Sequence, residues 1–339
     1  MRRLSICGVG GRRVDRRSPP RRWRTRRCRA IAVFGLPFPP MSYADFVAFR
    51  RSLPRTPRLE RQNVRARGVT FAVFTSPPPA VADTPPLVCI NGGMLYDHSM
   101  LWPALSPLAE RRQIILYDQR GRGASSAPAD PKSATIDDDA ADVGAIRRAL
   151  GIRKWDVLGH SWGGGIAMLA SASDTAGVRR LVLVDAVGPT SDWMAPLRAA
   201  VLARLHGEER EAVARITEEM LGEPDPILHS NYSRAVYPAW FADAEMASRF
   251  TPPDATSETG AAVLARLRHA GYDWRPRLRA LSIETLVLHG ERDPLPRTLL
   301  SDTSYIHPNA HYVVVPSSGH MPFWEAPERF FSSVESFLS

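Results

Sequence analysis

Ser161 stands at the centre of Gly159-His160-Ser161-Trp162-Gly163. The G-x-S-x-G spacing suits a serine lifted out of a strained strand-to-helix turn, with a glycine on each side so that neighbouring backbones can pass closely. A serine hydroxyl is a weak nucleophile at neutral pH and needs a base, usually a histidine oriented by a carboxylate. His320 fits the base, because Pro316-Ser317-Ser318-Gly319 is a loop that could swing an imidazole to the active centre. Asp293 fits the acid, in His289-Gly290-Glu291-Arg292-Asp293-Pro294 just past an apolar run. The chemistry implied is attack on a carbonyl. The tetrahedral oxyanion then needs donors: the Trp162 N–H, next after the nucleophile, and the Gly93 N–H in Ile90-Asn91-Gly92-Gly93-Met94.

Rivals exist for each role. Asp185 also follows an apolar run and is an alternative acid, or closes a loop by hydrogen bonding. His289 and His311 read as structural, His160 as packing beside the nucleophile, and Glu291 as solvated. Tyr117-Asp118-Gln119-Arg120-Gly121-Arg122-Gly123 could look like a phosphate loop, but without a G-K-[ST] ending it reads as a charged turn bracing the nucleophile loop. No cluster of His, Cys and acids has a metal-site spacing, and neither metal nor cofactor is expected.

Strands and helices must bring these residues together. Short apolar runs at residues 86–90, 113–117, 155–158, 180–184, 285–288 and 311–315 are strand length, and Val69–Thr75 reads as an edge strand. Helical patterns occupy 41–53, 136–150 and 164–173. Such alternation implies an α/β fold with a mostly parallel sheet covered on both faces. The 100 residues between Val184 and Thr285 far exceed a simple crossover, and helical stretches at 195–205, 208–221 and 258–270 lie among them. A helical cap inserted before the acid is the economical reading, with 41–190 and 271–339 as the core and 191–270 as the cap.

The chain has 339 residues and a formal charge of +9. That charge invites a nucleic-acid or membrane-surface reading until its distribution is considered. Residues 1–40 hold twelve of the 44 basic groups and one of the 35 acids, leaving 32 against 34 in the rest. No nucleic-acid partner is expected. Residues 1–40 read as an Arg-rich disordered extension, or as untranslated sequence upstream of a start at Met41; the functional rival is a basic targeting arm or twin-arginine signal. Three cysteines make no disulfide framework, and Cys89 reads as core packing. No run of 18 apolar residues suggests membrane insertion. A cytoplasmic protein is expected, with a small-molecule or short-peptide substrate.

The N-G-G loop, Y-D-Q-R-G-R-G, G-H-S-W-G-G, H-G-E-R-D-P and S-G-H-M-P-F-W-E-A-P-E-R-F together resemble the α/β-hydrolase superfamily, from about Val69 to the C-terminus. Within it, D-Q-R-G, S-W-G and a cap before the acid are similar to the proline iminopeptidase group, whose members release N-terminal residues from peptides. Those proteins carry H-G-G-P-G where this chain has Asn91-Gly92-Gly93-Met94-Leu95. They also hold the substrate amine with cap acids, for which Glu208, Glu209, Glu218, Glu219 and Glu245 are candidates here. The resemblance implies a serine hydrolase forming an acyl-enzyme from a small ester or amide. An aminopeptidase is the first alternative, and a non-catalytic ligand receptor on the same fold the second.

Overall fold

The computed structural model describes residues 41–80, 84–253, 255–279, 281–297 and 310–339. The expectations for residues 1–40 lie outside the described residues.

Eight strands form one sheet: β1 (Glu60–Ala66), β2 (Val69–Thr75), β3 (Leu87–Ile90), β4 (Ile114–Tyr117), β5 (Trp155–His160), β6 (Val178–Val184), β7 (Glu284–Gly290) and β8 (His311–Val315). Their spatial order is β1-β2-β4-β3-β5-β6-β7-β8, with every neighbour from β4 to β8 parallel. β1 and β2 add an antiparallel edge. The sequence reading missed β1. Its composition is polar and only Val64 is buried, so pairing with β2 and not periodicity makes it a strand. Arg67 and Gly68, both at positive φ (49° and 75°), close the tight hairpin between them.

Each central strand sends alternate side chains to opposite faces. Val88 and Ile90 join the apolar cluster under helices Ile136–Ala149 and Trp162–Ser173, while Leu87 and Cys89 join the cluster on the other face. That second cluster is closed by helix Pro327–Leu338, whose Phe330, Val334 and Leu338 recur at intervals of four and are fully buried. Each such side chain contributes roughly 1.5–3 kcal/mol by leaving water.

Between β6 and β7 lie helices Met194–Arg204, Gly207–Arg215, Glu218–Leu221, Pro226–Val236, Ala244–Arg249 and Glu258–Ala270. The single helix expected over 208–221 is two, because Thr217 caps a new start by accepting from the Met220 N–H. Helix Pro226–Val236 was not foreseen, although Asp225-Pro226 is a helix-opening pair: the Asp225 carboxylate accepts from the Ile227 and Leu228 N–H groups. Val201, Leu205, Val213 and Val236 give this helical segment an apolar cluster of its own. No helix among the described residues is long and apolar enough to cross a membrane.

Candidate active site

β5 ends at His160 and the next helix begins at Trp162, so Ser161 alone makes the turn, at φ 56° and ψ −123°. A side-chain-bearing residue rarely adopts this conformation. The backbone is pinned there by the Ser161 N–H donating to Val184 O at 3.0 Å, and by Ser161 O accepting from Gly164 and Val187 N–H groups. Gly163 is required by close approach, since a Cβ there would overlap the Ile90 carbonyl. Ser161 Oγ makes no hydrogen bond among the described residues and lines a pocket shared with His320.

The base and acid arrive on loops after β8 and β7. His320 Nδ1 and Asp293 Oδ2 are 2.8 Å apart, both groups buried. The other Asp293 oxygen accepts from the Leu295 N–H at 2.9 Å. Burial lowers the His320 imidazole to about 3, so it rests neutral and ready to take a proton. Burial pushes the Asp293 carboxyl up, against hydrogen bonds from Asp185 and the Leu295 N–H. Trp162 occupies the first turn of its helix, where N–H groups have no intrahelical acceptor. Gly92 presses on the nucleophile, with a Cβ there falling 2.5 Å from Ser161 Cβ, and Gly93 lines the same pocket. All five residues singled out in the sequence therefore reach one place.

The family model for the α/β hydrolase fold matches residues 85–327. The chain belongs to the α/β-hydrolase family. It is 31% identical over 239 residues to a 2-hydroxymuconate semialdehyde hydrolase of Pseudomonas putida, covering 68% of this chain and 78% of the relative. It is 26% identical over 283 residues to a proline iminopeptidase of Lactobacillus delbrueckii subsp. lactis, covering 76% and 90%. Among solved structures it is similar to the enol-lactonase from Burkholderia xenovorans LB400, with a TM-score of 0.58 at 23% identity over 82% of this chain and 99% of that one.

The rivals take supporting places in this α/β-hydrolase. Asp185, at φ 43° and fully buried, accepts from the Gly290 N–H at 2.7 Å and lies within 4.8 Å of an Asp293 carboxyl oxygen. Burial first, and the Asp293 charge next, hold its pKa well above the usual carboxylate range, which favours the neutral acid at Asp185. His289 bonds Leu295 O through Nε2, and His160 bonds His320 O at 2.8 Å, fixing the base from behind. Glu291 is exposed, as read, yet accepts from the Ser317 N–H at the start of the base loop. The Y-D-Q-R-G-R-G turn braces a different loop from the one expected. Gln119 Nε2 donates to Asn91 O and Arg122 Nε to Met94 O, so it grips the Gly92-Gly93 loop and not the nucleophile turn. Arg122 is held in turn by Asp139 on both guanidinium nitrogens.

Glu325 escaped the sequence reading. It is 4% exposed, and its carboxyl accepts from Gly319 and Met321 N–H groups, on either side of His320, and from the Ala242 N–H at 2.6 Å. Trp240 also fixes the base: its carbonyl accepts from the His320 N–H at 2.7 Å and its ring lies 4.3 Å from the imidazole. Gly319 leaves room for this approach, since a Cβ there would overlap Trp240 O. The tract M-P-F-W-E was visible in the sequence, but nothing in its pattern says that its acid is turned inward.

Above Ser161 the pocket walls are apolar and aromatic, with Trp193, Leu197 and Val201 from one side and Tyr232, Val236 and Leu264 from another. The cap acids foreseen as amine ligands do not reach it. Among the described lining residues none is a carboxylate, and the one permanently charged side chain is Arg268.

Proposed function

We propose that this α/β-hydrolase cleaves small carboxylic esters through a serine acyl-enzyme. The observation that carries the reading is Ser161 on a positive-φ elbow, open to a pocket shared with a neutral His320 that Asp293 orients.

Substrate enters with its carbonyl against Ser161 Oγ. His320 Nε2 takes the Oγ proton as the C–O bond forms, and Asp293 offsets the imidazolium charge. Trp162 and Gly93 N–H groups donate to the oxyanion, in a pocket whose apolar walls strengthen both bonds. His320 returns the proton to the leaving oxygen as that bond breaks. Water then attacks the acyl carbonyl, with His320 again as base, releasing the acid and restoring Ser161.

Similarity to proline iminopeptidases favours a second reading, an aminopeptidase using the same groups. A substrate ammonium needs an anionic seat, and the described pocket walls offer Arg268 instead. Turnover of 4-nitrophenyl esters beside prolyl 4-nitroanilide, with fluorophosphonate labelling of wild type and Ser161→Ala, tests both. Ester turnover and labelling that both vanish in Ser161→Ala are expected. Preferred turnover of the prolyl amide would move the protein to the peptidase reading, and labelling without turnover to a receptor.

A further inference from the structure

Arg268 lies in the last turn of helix Glu258–Ala270, one turn after Leu264, and both side chains face the pocket. Its side chain is 15% exposed, and its guanidinium carbon sits 5.6 Å from the Tyr232 ring centroid. A cation held on an aromatic face at a pocket wall is positioned and partly dehydrated. Among the described residues its one anionic partner is Glu218, which Nη1 meets at 2.8 Å. Glu218 is 52% exposed and shared, because Arg198 Nε approaches its other oxygen at 3.6 Å. Two guanidinium groups therefore divide one solvated carboxylate, and among the described residues no second carboxylate balances the pair beside the pocket. Arg268 Nε is in addition buried without a hydrogen-bond partner, a costly state for a charged donor group.

We propose that Arg268 seats a carboxylate of the substrate, so that the preferred esters carry an anionic group remote from the scissile carbonyl. This rests on the ester hydrolase reading. The apolar side chains that line the pocket together with Ser161 and Arg268 suit a hydrocarbon spacer, and a guanidinium fork matches carboxylate geometry. The carboxylate can belong to the acyl half, as in a dicarboxylic acid monoester, or to the leaving half, as in an acyloxy acid.

The test compares matched pairs: mono-4-nitrophenyl adipate against 4-nitrophenyl hexanoate for the acyl half, and 4-acetoxybenzoate against phenyl acetate for the leaving half. In one pair at least, Arg268→Gln should lower the anionic-to-neutral ratio of kcat/KM by roughly tenfold or more, mainly through KM, and Arg268→Lys should recover part of it. Glu218→Gln is the decisive control. If Arg268 serves the substrate, freeing it from Glu218 raises that ratio; if the pair is only a cap tie, the ratio stays flat. Ratios unmoved by Arg268→Gln in both pairs overturn the proposal. Calorimetry of adipate binding reads the site without turnover. Weaker binding in Arg268→Gln than in wild type supports the seat even where no ester is cleaved, an outcome that would sink the hydrolase reading alone. Equal binding, or none to wild type, counts against the seat.

Discussion

Asp185 and Asp293, on the loops after β6 and β7, bring carboxyl oxygens within 4.8 Å of each other in the buried space beside His320. Burial raises both carboxyls and the Asp293 charge raises Asp185 further, which favours the neutral acid at Asp185 beside the Asp293 that faces His320. Asp185→Asn keeps both an acceptor for the Gly290 N–H and a donor for Asp293, so ester turnover should stay within a few-fold of wild type. Asp185→Leu strands the Gly290 N–H and should cost about 1–3 kcal/mol in urea denaturation, with a larger fall in turnover. Asp293→Asn should lower kcat by a factor on the order of 10³–10⁴. A milder loss for Asp293→Asn than for Asp185→Asn would exchange the two roles.

Ser161 carries backbone strain as well as the nucleophile. Ser161→Ala should abolish turnover and leave the melting temperature nearly unchanged, because alanine is strained equally at φ 56°. Ser161→Gly should also be inactive but more stable, by about 1 kcal/mol or more, since glycine adopts this conformation freely. Calorimetric melting of the three proteins decides it; a glycine variant no more stable than the alanine one would mean that the elbow holds no strain.

Much of this arrangement was legible in the sequence, because a strained turn demands small residues at fixed offsets. Gly159, Ser161 and Gly163 can be spaced so for few other reasons, and six apolar runs located the strands that hold them. β1 was illegible because Val64 alone marks its buried side. Glu325 was illegible for the opposite reason: an acid is normally a surface residue, and only the N–H groups converging on it explain its burial. Arg268 drew no reading from the sequence, because nothing in its helix pattern says that it lies over the Tyr232 ring.

Glu325→Ala leaves the Gly319, Met321 and Ala242 N–H groups without their acceptor. Turnover should fall at least tenfold, with KM little changed, because the base is displaced while the substrate walls remain. Steady-state kinetics on a neutral ester measures this, and a pure KM effect would place Glu325 in binding instead of in orienting the base.

Stability should peak at weakly acidic pH. Burial lowers His160 and His289 to about 3 each, so their contribution is complete above the unfolded value of 6.5 and is lost as pH falls toward 3. Burial raises Glu325 to about 8, so its contribution is complete below the unfolded value of 4.5 and is lost as pH rises toward 8. The two slopes oppose each other between about 4.5 and 6.5; the histidines, with His320 at about 3 beside them, govern the acid side, and Asp293, raised to about 7, adds to Glu325 on the alkaline side. Urea midpoints across pH 3–9 should pass through a maximum at weakly acidic pH with a decline on each side, and His289→Phe should soften the acid side. A midpoint rising steadily to pH 8 would contradict the assignment.

The stretch between helices Pro226–Val236 and Ala244–Arg249 is stitched to the reaction centre from several directions. Trp240 O takes the His320 N–H, the Ala242 N–H enters Glu325, and Arg204 bridges Ala239 O to Arg292 O beside the acid. From residues 239–242 these bonds use main-chain groups only, so in that stretch they depend on backbone position, while Arg204 and Glu325 are the side chains they require. The helices from Gly207 to Val236 and from Glu258 to Ala270 can therefore drift in sequence, and so in the molecules they admit, without loosening His320. A graft that exchanges those helices but keeps Trp240 to Ala242 transplants selectivity; one that cuts through Trp240 to Ala242 disarms the base.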